Sequence, residues 1–96
     1  MIYREGDKLI VAGAVTVQNV VGLMQQGLKL LDSDHLCVDL QKVTEVDSTA
    51  ISMLFEWLRA AEKRNCRLEF IHFPQSLESL MQLYGVTPLL QPDSVR

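Results

Sequence analysis

The sequence predicts a small α/β domain in which a mixed, mostly parallel four-stranded sheet carries helices mainly on one face. Apolar segments with strand and helix periodicity alternate along the 96 residues, and this order is typical of parallel strands joined by right-handed crossovers. Two of the strands alternate polar and apolar residues, whereas parallel strands covered on both faces are apolar throughout. One face of the sheet should therefore be covered by helices and the other partly solvated.

The first part of the chain predicts a hairpin followed by a helix. Residues 1–4 form a short edge strand, and a turn around Gly6 leads into a β-prone strand over residues 8–14. Thr16 is the predicted N-cap of a helix over residues 17–31, which has one apolar stripe at helical spacing. The stripe consists of Val17, Val20, Val21, Met24, Leu28 and Leu31. Two glycines inside this helix each weaken it by up to ~1 kcal/mol relative to alanine, so packing must hold it.

The second part of the chain predicts two further strands, each followed by a helix. These elements are a strand over residues 36–41 that runs into a turn, a helix over 48–65, a strand over 67–73 and a helix over 77–84. Ser76 can cap the last helix, Gly85 can end it and Pro88 is a stop signal. We assign residues 1–90 to a single domain and residues 91–96 to a flexible tail.

The most informative motif is Asp47-Ser48-Thr49, at the junction between the third strand and the longest helix. Side chains such as Asp47 and Ser48 can bond the unpaired N–H groups of a first helical turn. The same N–H groups and the positive end of the helix dipole would accept an anion, including a phosphate placed on Ser48. The motif therefore offers a helix cap, an exposed hydroxyl and a site for a charge switch.

A second apolar row, formed by Met53, Trp57 and Ala60, follows the motif along the same helix. The row lies outside the stripe that faces the sheet, so the apolar arc is wider than a helix on one sheet needs. One explanation is contact with the neighbouring helix over residues 77–84. The other is a partner-binding surface, for which Met53 and Trp57 are suitable anchors. The sequence leaves both explanations open.

Composition argues against several classes of function. The net charge of −3 gives no electrostatic reason to expect nucleic acid. No apolar run reaches the ~18–20 residues of a membrane span, and the N-terminus does not resemble a signal peptide, so we expect no direct membrane insertion. Cys37 and Cys66 lack Cys-x-x-Cys spacing, and we expect free thiols in a cytoplasmic protein. Together with His35 and His72 they match no common metal site, and we predict no metal or cofactor.

An enzymatic site can be imagined from Ser48, His72 and Asp47 as nucleophile, base and orienting carboxylate. His72 lies near the end of a predicted strand, at the same sheet edge as Ser48. However, Asp47 adjoins Ser48 instead of orienting a histidine, and the chain has no glycine-rich oxyanion turn. We predict that the protein is not an enzyme.

With Val-Asp-Ser-Thr-Ala-Ile at this strand-to-helix junction, the chain resembles a STAS domain over nearly its whole length. STAS domains occur as anti-sigma factor antagonists, as cytoplasmic tails of anion transporters and as the MlaB-type subunit of a bacterial phospholipid-transport ABC system. The resemblance implies that Ser48 occupies the site phosphorylated in the antagonists, or the hydroxyl position important in the transporter subunit. Asp47 and Thr49 fall on its flanking positions.

Within this family the chain is most similar to MlaB-type subunits, through its short length, its ending over residues 83–90 and the row of Met53 and Trp57. The resemblance implies a subunit that binds a cytoplasmic ABC ATPase, touches neither lipid nor ATP, and is peripheral to the inner membrane through its partner. The alternative is an anti-sigma factor antagonist that sequesters a kinase until Ser48 is phosphorylated. Homodimerisation stays open, through the solvated sheet face, the strand over residues 1–4 or the same Met53 and Trp57 row.

Overall fold

The computed structural model describes residues 1–91. Their elements in chain order are β1 (Ile2–Glu5), β2 (Lys8–Val15), α1 (Val20–Lys29), β3 (His35–Val46), α2 (Ser48–Lys63), β4 (Arg67–Ile71), α3 (Gln75–Leu83) and α4 (Thr87–Leu90).

The sheet confirms the predicted fold class. Its strand order is β1-β2-β3-β4, with β1 antiparallel to β2 and the remaining pairs parallel. Helix α1 connects β2 to β3, and α2 connects β3 to β4, as crossover connections between parallel strands require. The result is the small mixed, mostly parallel sheet that the sequence predicts.

The core lies between one face of the sheet and the helices. Leu9, Leu36 and Val38 are completely buried on this face and form one apolar cluster with the buried residues of α1, α2 and α3. Because successive side chains of a strand point to opposite faces, Lys8 and Cys37 lie on the other face and stay partly exposed. The alternation of polar and apolar residues in the strands therefore arises as predicted, because one face of the sheet packs against the helices and the other is partly solvated.

Strand β3 is longer than predicted, and the expected turn after Gln41 is not formed. The strand continues to Val46, and two register shifts against β2 each insert an extra residue on β3. Such bulges break the two-residue period by which strands are recognised in a sequence. Strand β4 ends at Ile71, opposite Asp39, so the seven residues of β3 after Asp39 extend beyond it.

Helix α1 begins three residues later than predicted, at Val20. Thr16 does not cap it, because the Thr16 carbonyl accepts hydrogen bonds from the N–H groups of Asn19 and Val20 in a turn before the helix. The Asn19 side chain closes this turn, since its Oδ1 accepts from the Thr16 N–H at 3.0 Å and its Nδ2 donates to the Ala14 carbonyl at 2.8 Å. The turn leaves Val17 outside the helix.

The end of the domain follows the prediction more closely. Helix α3 starts after Pro74, so the predicted Ser76 cap is wrong. Gly85 ends the helix as predicted, with φ +70°, and its N–H and the following N–H bond back to α3 carbonyls in a Schellman motif. Pro88 lies inside the short helix α4, in its first turn.

The residues after α4 were predicted to form a flexible tail. Of the predicted tail, residues 91–96, the structure describes Gln91, and residues 92–96 lie outside the described part of the chain. Leu90, the last residue of α4, is buried against the core, so the described domain reaches the end of the predicted 1–90 unit. No helix within residues 1–91 is long and apolar enough to cross a membrane.

Candidate functional site

Asp47 builds the start of α2. It is the N-cap residue, and its Oδ1 accepts hydrogen bonds from the Thr49 N–H at 2.9 Å and from the Thr49 hydroxyl. Its Oδ2 accepts from the Val17 N–H at 2.9 Å. One carboxylate therefore caps α2 and fastens the loop between β2 and α1 to it. Asp47 and Thr49, predicted as flanks of the motif, act together in this cap.

These hydrogen bonds also fix the charge of the cap. The Thr49 hydroxyl, followed by the N–H groups of Val17 and Thr49, stabilises the carboxylate and holds the pKa of Asp47 below its usual value. A negative charge at a helix N-terminus also interacts favourably with the helix dipole. Asp47 is therefore ionised at neutral pH and keeps the loop and the helix start in one arrangement.

Ser48, the first residue of α2, is exposed. Its hydroxyl forms no hydrogen bond with any group in residues 1–91, because Asp47 performs the capping that either residue could have performed. A serine that is exposed and not needed for the cap is free to contact another molecule. The structure therefore agrees with the predicted exposure of this residue.

Two exposed valines, Val17 and Val21, lie at the same end of α2 as Ser48 and form what we call the valine rim. Val17 is 68% exposed and Val21 is 58% exposed, and the Val17 backbone is bonded to Asp47 directly beside Ser48. A groove of about 160 Å³ runs between α1 and α2 at this end, with Val20 and Val21 on one side and Thr49 on the other. The sequence placed the two exposed valines in a core-facing stripe. Val17 is exposed because it precedes the helix, and Val21 is exposed because the buried face of α1 is centred on Leu23 and Gly27.

Met53 and Trp57 are buried in the core, so the partner-binding role considered for this row is wrong. Met53 is 2% exposed and Trp57 is 0% exposed. The Trp57 Nε1 donates a hydrogen bond to the Met24 carbonyl of α1 at 3.1 Å, and its ring lies against Gly27. The row therefore packs against α1. Neither of the two explanations based on sequence, the C-terminal helix or a partner, describes this packing.

Gly27 was the signal in the sequence for this packing. A Cβ atom built on Gly27 would lie 2.3 Å from the Trp57 ring, so only glycine lets the two helices approach this closely. A glycine in the middle of an apolar helical stripe costs helix stability and often marks such a close approach.

His72 does not complete a catalytic group with Ser48. It follows β4 and its Nδ1 lies 3.1 Å from the Asp39 Oδ1, on the sheet face opposite the helices. Because β3 continues for seven residues past Asp39 before α2 begins, the two sites are about 20 Å apart along the strand. The expected proximity at one sheet edge fails because β4 ends much earlier than β3.

Asp39 is the buried charged residue of the described chain, and sequence reasoning did not single it out. Burial raises the pKa of its carboxyl, but the Gln41 N–H and His72 hydrogen bonds outweigh this effect and lower the pKa below its usual value. Asp39 thereby joins the first bulge of β3 to the end of β4. This role is structural, and it lies far from the valine rim.

Cys37 and Cys66 are free thiols, and burial raises the pKa of both. Both are therefore poor nucleophiles at neutral pH. Within residues 1–91, no group of three His, Cys, Asp or Glu side chains is arranged to hold a metal ion.

The fold is that of a STAS-type domain. The family model described as "Mlab, STAS domain" matches residues 2–91, and the chain therefore belongs to this family of STAS domains. A comparison with curated protein sequences gives no significant match. Domains of the family are typically regulatory or binding modules, and no observation on this chain shows catalysis.

Solved structures share the fold. A chain of the Acinetobacter MlaFEDB complex in an ATP-bound conformation matches with a TM-score of 0.77 at 24% identity, over 91% of this chain and 93% of that chain. The anti-sigma factor antagonist SpoIIAA in its unphosphorylated form matches with a TM-score of 0.73 at 11% identity, over 92% and 82%. An anti-sigma factor antagonist from Mycobacterium paratuberculosis gives 0.68 at 18% identity, over 95% and 80%.

Proposed function

We propose that this protein is a non-enzymatic subunit that binds and supports the cytoplasmic ATPase of a phospholipid-transport ABC system. The observation that carries the proposal is the exposed rim of Val17 and Val21 near a Ser48 hydroxyl that forms no hydrogen bond within residues 1–91, in a chain of the MlaB STAS family. The similarity to a chain of the MlaFEDB complex supports it. The protein would then be cytoplasmic and reach the inner membrane through its partner.

The geometry suits a protein contact better than a reaction. Docking over the rim would bury the exposed surface of Val17 and Val21, which supplies hydrophobic free energy. The Ser48 hydroxyl can donate and accept a hydrogen bond in the same contact. Because Asp47 already holds the loop and the start of α2 together, little conformational entropy is lost on binding. Neither lipid nor ATP needs to touch the chain.

Titration calorimetry with the purified ATPase of a phospholipid-transport ABC system from the same organism tests the proposal. We expect Ser48→Glu to weaken the complex about tenfold or more, because the added carboxylate must lose water at the contact. The matched control is Ser76→Glu, which adds the same charge to an exposed serine in the first turn of α3. The control should bind like the unmodified protein.

A second pair of variants tests the valine rim independently. Val21→Asp should weaken binding as strongly as Ser48→Glu, whereas Leu83→Asp places the same charge on an even more exposed apolar residue of α3 and should not. Absence of any complex between the unmodified protein and the ATPase would contradict the proposed function. A complex that tolerates both rim variants would place the contact elsewhere on the chain.

The alternative function is an anti-sigma factor antagonist that is switched by phosphorylation of Ser48. It is supported by the exposure of Ser48 at a helix N-terminus, where a phosphate would interact favourably with the helix dipole, and by the fold shared with SpoIIAA. A cognate serine kinase should then modify Ser48 and leave the Ser48→Ala variant unmodified, as read by intact-protein mass spectrometry. Genes for a serine kinase and a sigma factor beside this one, in place of an ATPase and a permease, would favour this alternative.

A further inference from the structure

The outer edge of β4 carries backbone groups that no part of residues 1–91 satisfies. The Arg67 N–H donates to the Asp34 carbonyl on the β3 side. Because the N–H and C=O of one strand residue point to the same side, Arg67, Glu69 and Ile71 face β3, while Leu68 and Phe70 present their backbone groups outward. An edge of this kind is a template for pairing with another strand.

The apolar core is also incomplete at this edge. On the same sheet face, Leu36 and Val38 of the central strand are completely buried, but Leu68 and Phe70 of β4 stay partly exposed. They line a groove of about 810 Å³ that is bounded by Leu58 of α2 and by the 63% exposed Leu89 of α4. The edge therefore offers both hydrogen-bonding groups and uncovered apolar surface.

The charged residues on the opposite face of β4 indicate which strand could pair with it. Arg67 and Glu69 flank Leu68 there, with opposite charges. If a second β4 pairs antiparallel with Leu68 facing its own copy, each Arg67 lies opposite the Glu69 of the other chain, which is a stabilising cross-strand pair. Moving the register by one residue in each chain places Glu69 opposite Glu69, which is destabilising. The strand is therefore complementary to itself in one register.

We propose that a second copy of this chain occupies the edge of β4, giving a two-fold symmetric dimer with a continuous eight-stranded sheet. The two Leu68 residues form the central hydrogen-bonded pair, flanked by two Arg67–Glu69 pairs. Leu68 and Phe70 of each copy then cover the open groove of the other. This surface is separate from the valine rim, so the dimer does not depend on the proposed function.

Sedimentation equilibrium of the purified protein over micromolar to millimolar concentrations tests the dimer, with charge variants to test its register. Arg67→Glu creates two repulsive pairs, and we expect it to raise the dissociation constant about tenfold or more. The double variant Arg67→Glu/Glu69→Arg restores two opposite pairs but loses the contact between Glu69 and His35 within each chain, so it should dimerise at least about threefold more tightly than Arg67→Glu. Thermal melts by circular dichroism establish that both variants fold.

Hydrogen exchange locates the contact by residue. The Leu68 amide should become protected as the concentration rises, while the Glu69 amide, which faces β3, is equally protected at all concentrations. A chain that stays monomeric at the highest concentration overturns the proposal. A dimer that responds neither to Arg67→Glu nor through the Leu68 amide overturns it as well, because its contact would lie elsewhere.

Discussion

The first turn of α2 carries an exposed residue and the middle of α2 a completely buried one, and this difference is not evident from the sequence. Both regions carry residues that are typical of interfaces, Ser48 at the start and Trp57 two and a half turns later. The first is exposed without a hydrogen bond inside the described chain, and the second is completely buried under α1. The comparison shows that the angular position of a tryptophan on a wide apolar arc does not determine whether it is buried. The helix that packs beside it determines this.

The largest expected effect is on the buried side of this comparison. Trp57→Ala removes a fully buried ring and its hydrogen bond to Met24, and it should lower the free energy of unfolding by ~3–5 kcal/mol. Denaturant melts of the isolated chain measure it. Tyr84→Ala, which truncates a 55% exposed aromatic residue, is the control and should change stability little. A small loss for Trp57→Ala would contradict the packing described here.

Gly27 gives the next largest effect and isolates the close approach of the helices. Gly27→Ala improves helix propensity by up to ~1 kcal/mol, but its new methyl group would overlap the Trp57 ring. We expect a net loss of ~1–3 kcal/mol, as for other overpacked sites. Gly22→Ala in the same helix meets nothing within 4 Å, so it should stabilise the chain. If both glycine variants are stabilising, α1 and α2 are not in contact at Gly27.

Most of the fold follows from local patterns, and the failures have identifiable causes. The succession of strands and helices along the chain was predictable because apolar periodicity and the hairpin turn are properties of short segments. The length of β3 was not, because its bulges shift polar residues out of the alternating pattern. The start of α1 was missed because the Asn19 side chain closes a turn that competes with the helix.

The candidate site likewise has one part that could be predicted from the sequence and one part that could not. A cap by Asp47 and an exposed Ser48 hydroxyl could be predicted because capping depends on a few consecutive residues, whereas the part of Thr49 in the cap was not predicted. The valine rim could not, because the exposure of Val17 depends on where α1 begins, and that of Val21 on which face of α1 packs against the core. Trp57 required knowledge of which helix lies beside it. Residue spacing supplies none of these long-range relations.

Asp47 joins the start of α2 to the loop before α1, and the effect of replacing it should be of intermediate size. Its pKa is lowered in the folded state, so its charge contributes stability that is fully present above the unfolded pKa of about 3.9 and is lost as pH falls through the folded value. Asp47→Ala should therefore be less stable at neutral pH and should lose less stability on acidification than the unmodified protein. Urea melts at a series of acidic pH values measure this.

The control for Asp47 is Asp7→Ala, which removes an exposed carboxylate that forms no hydrogen bond or ion pair within residues 1–91. It should leave stability at neutral pH nearly unchanged. Equal effects of the two variants would mean that the removal of any negative charge, and not the removal of the cap, explains the lower stability.

The smallest effect on stability is expected at Ser48, where the effect on binding should be large. Because Asp47 supplies the cap, Ser48→Ala should change the free energy of unfolding by less than ~0.5 kcal/mol, as at other exposed sites. Ser48→Glu should also fold normally, because negative charge suits a helix N-terminus. Denaturant melts and partner titrations on the same preparations separate the two properties. A loss of ~1–2 kcal/mol for Ser48→Ala would show that the hydroxyl shares the capping, and unfolding of Ser48→Glu would show that the side chain is buried. Either result would remove the contrast between the exposed start of α2 and its buried middle.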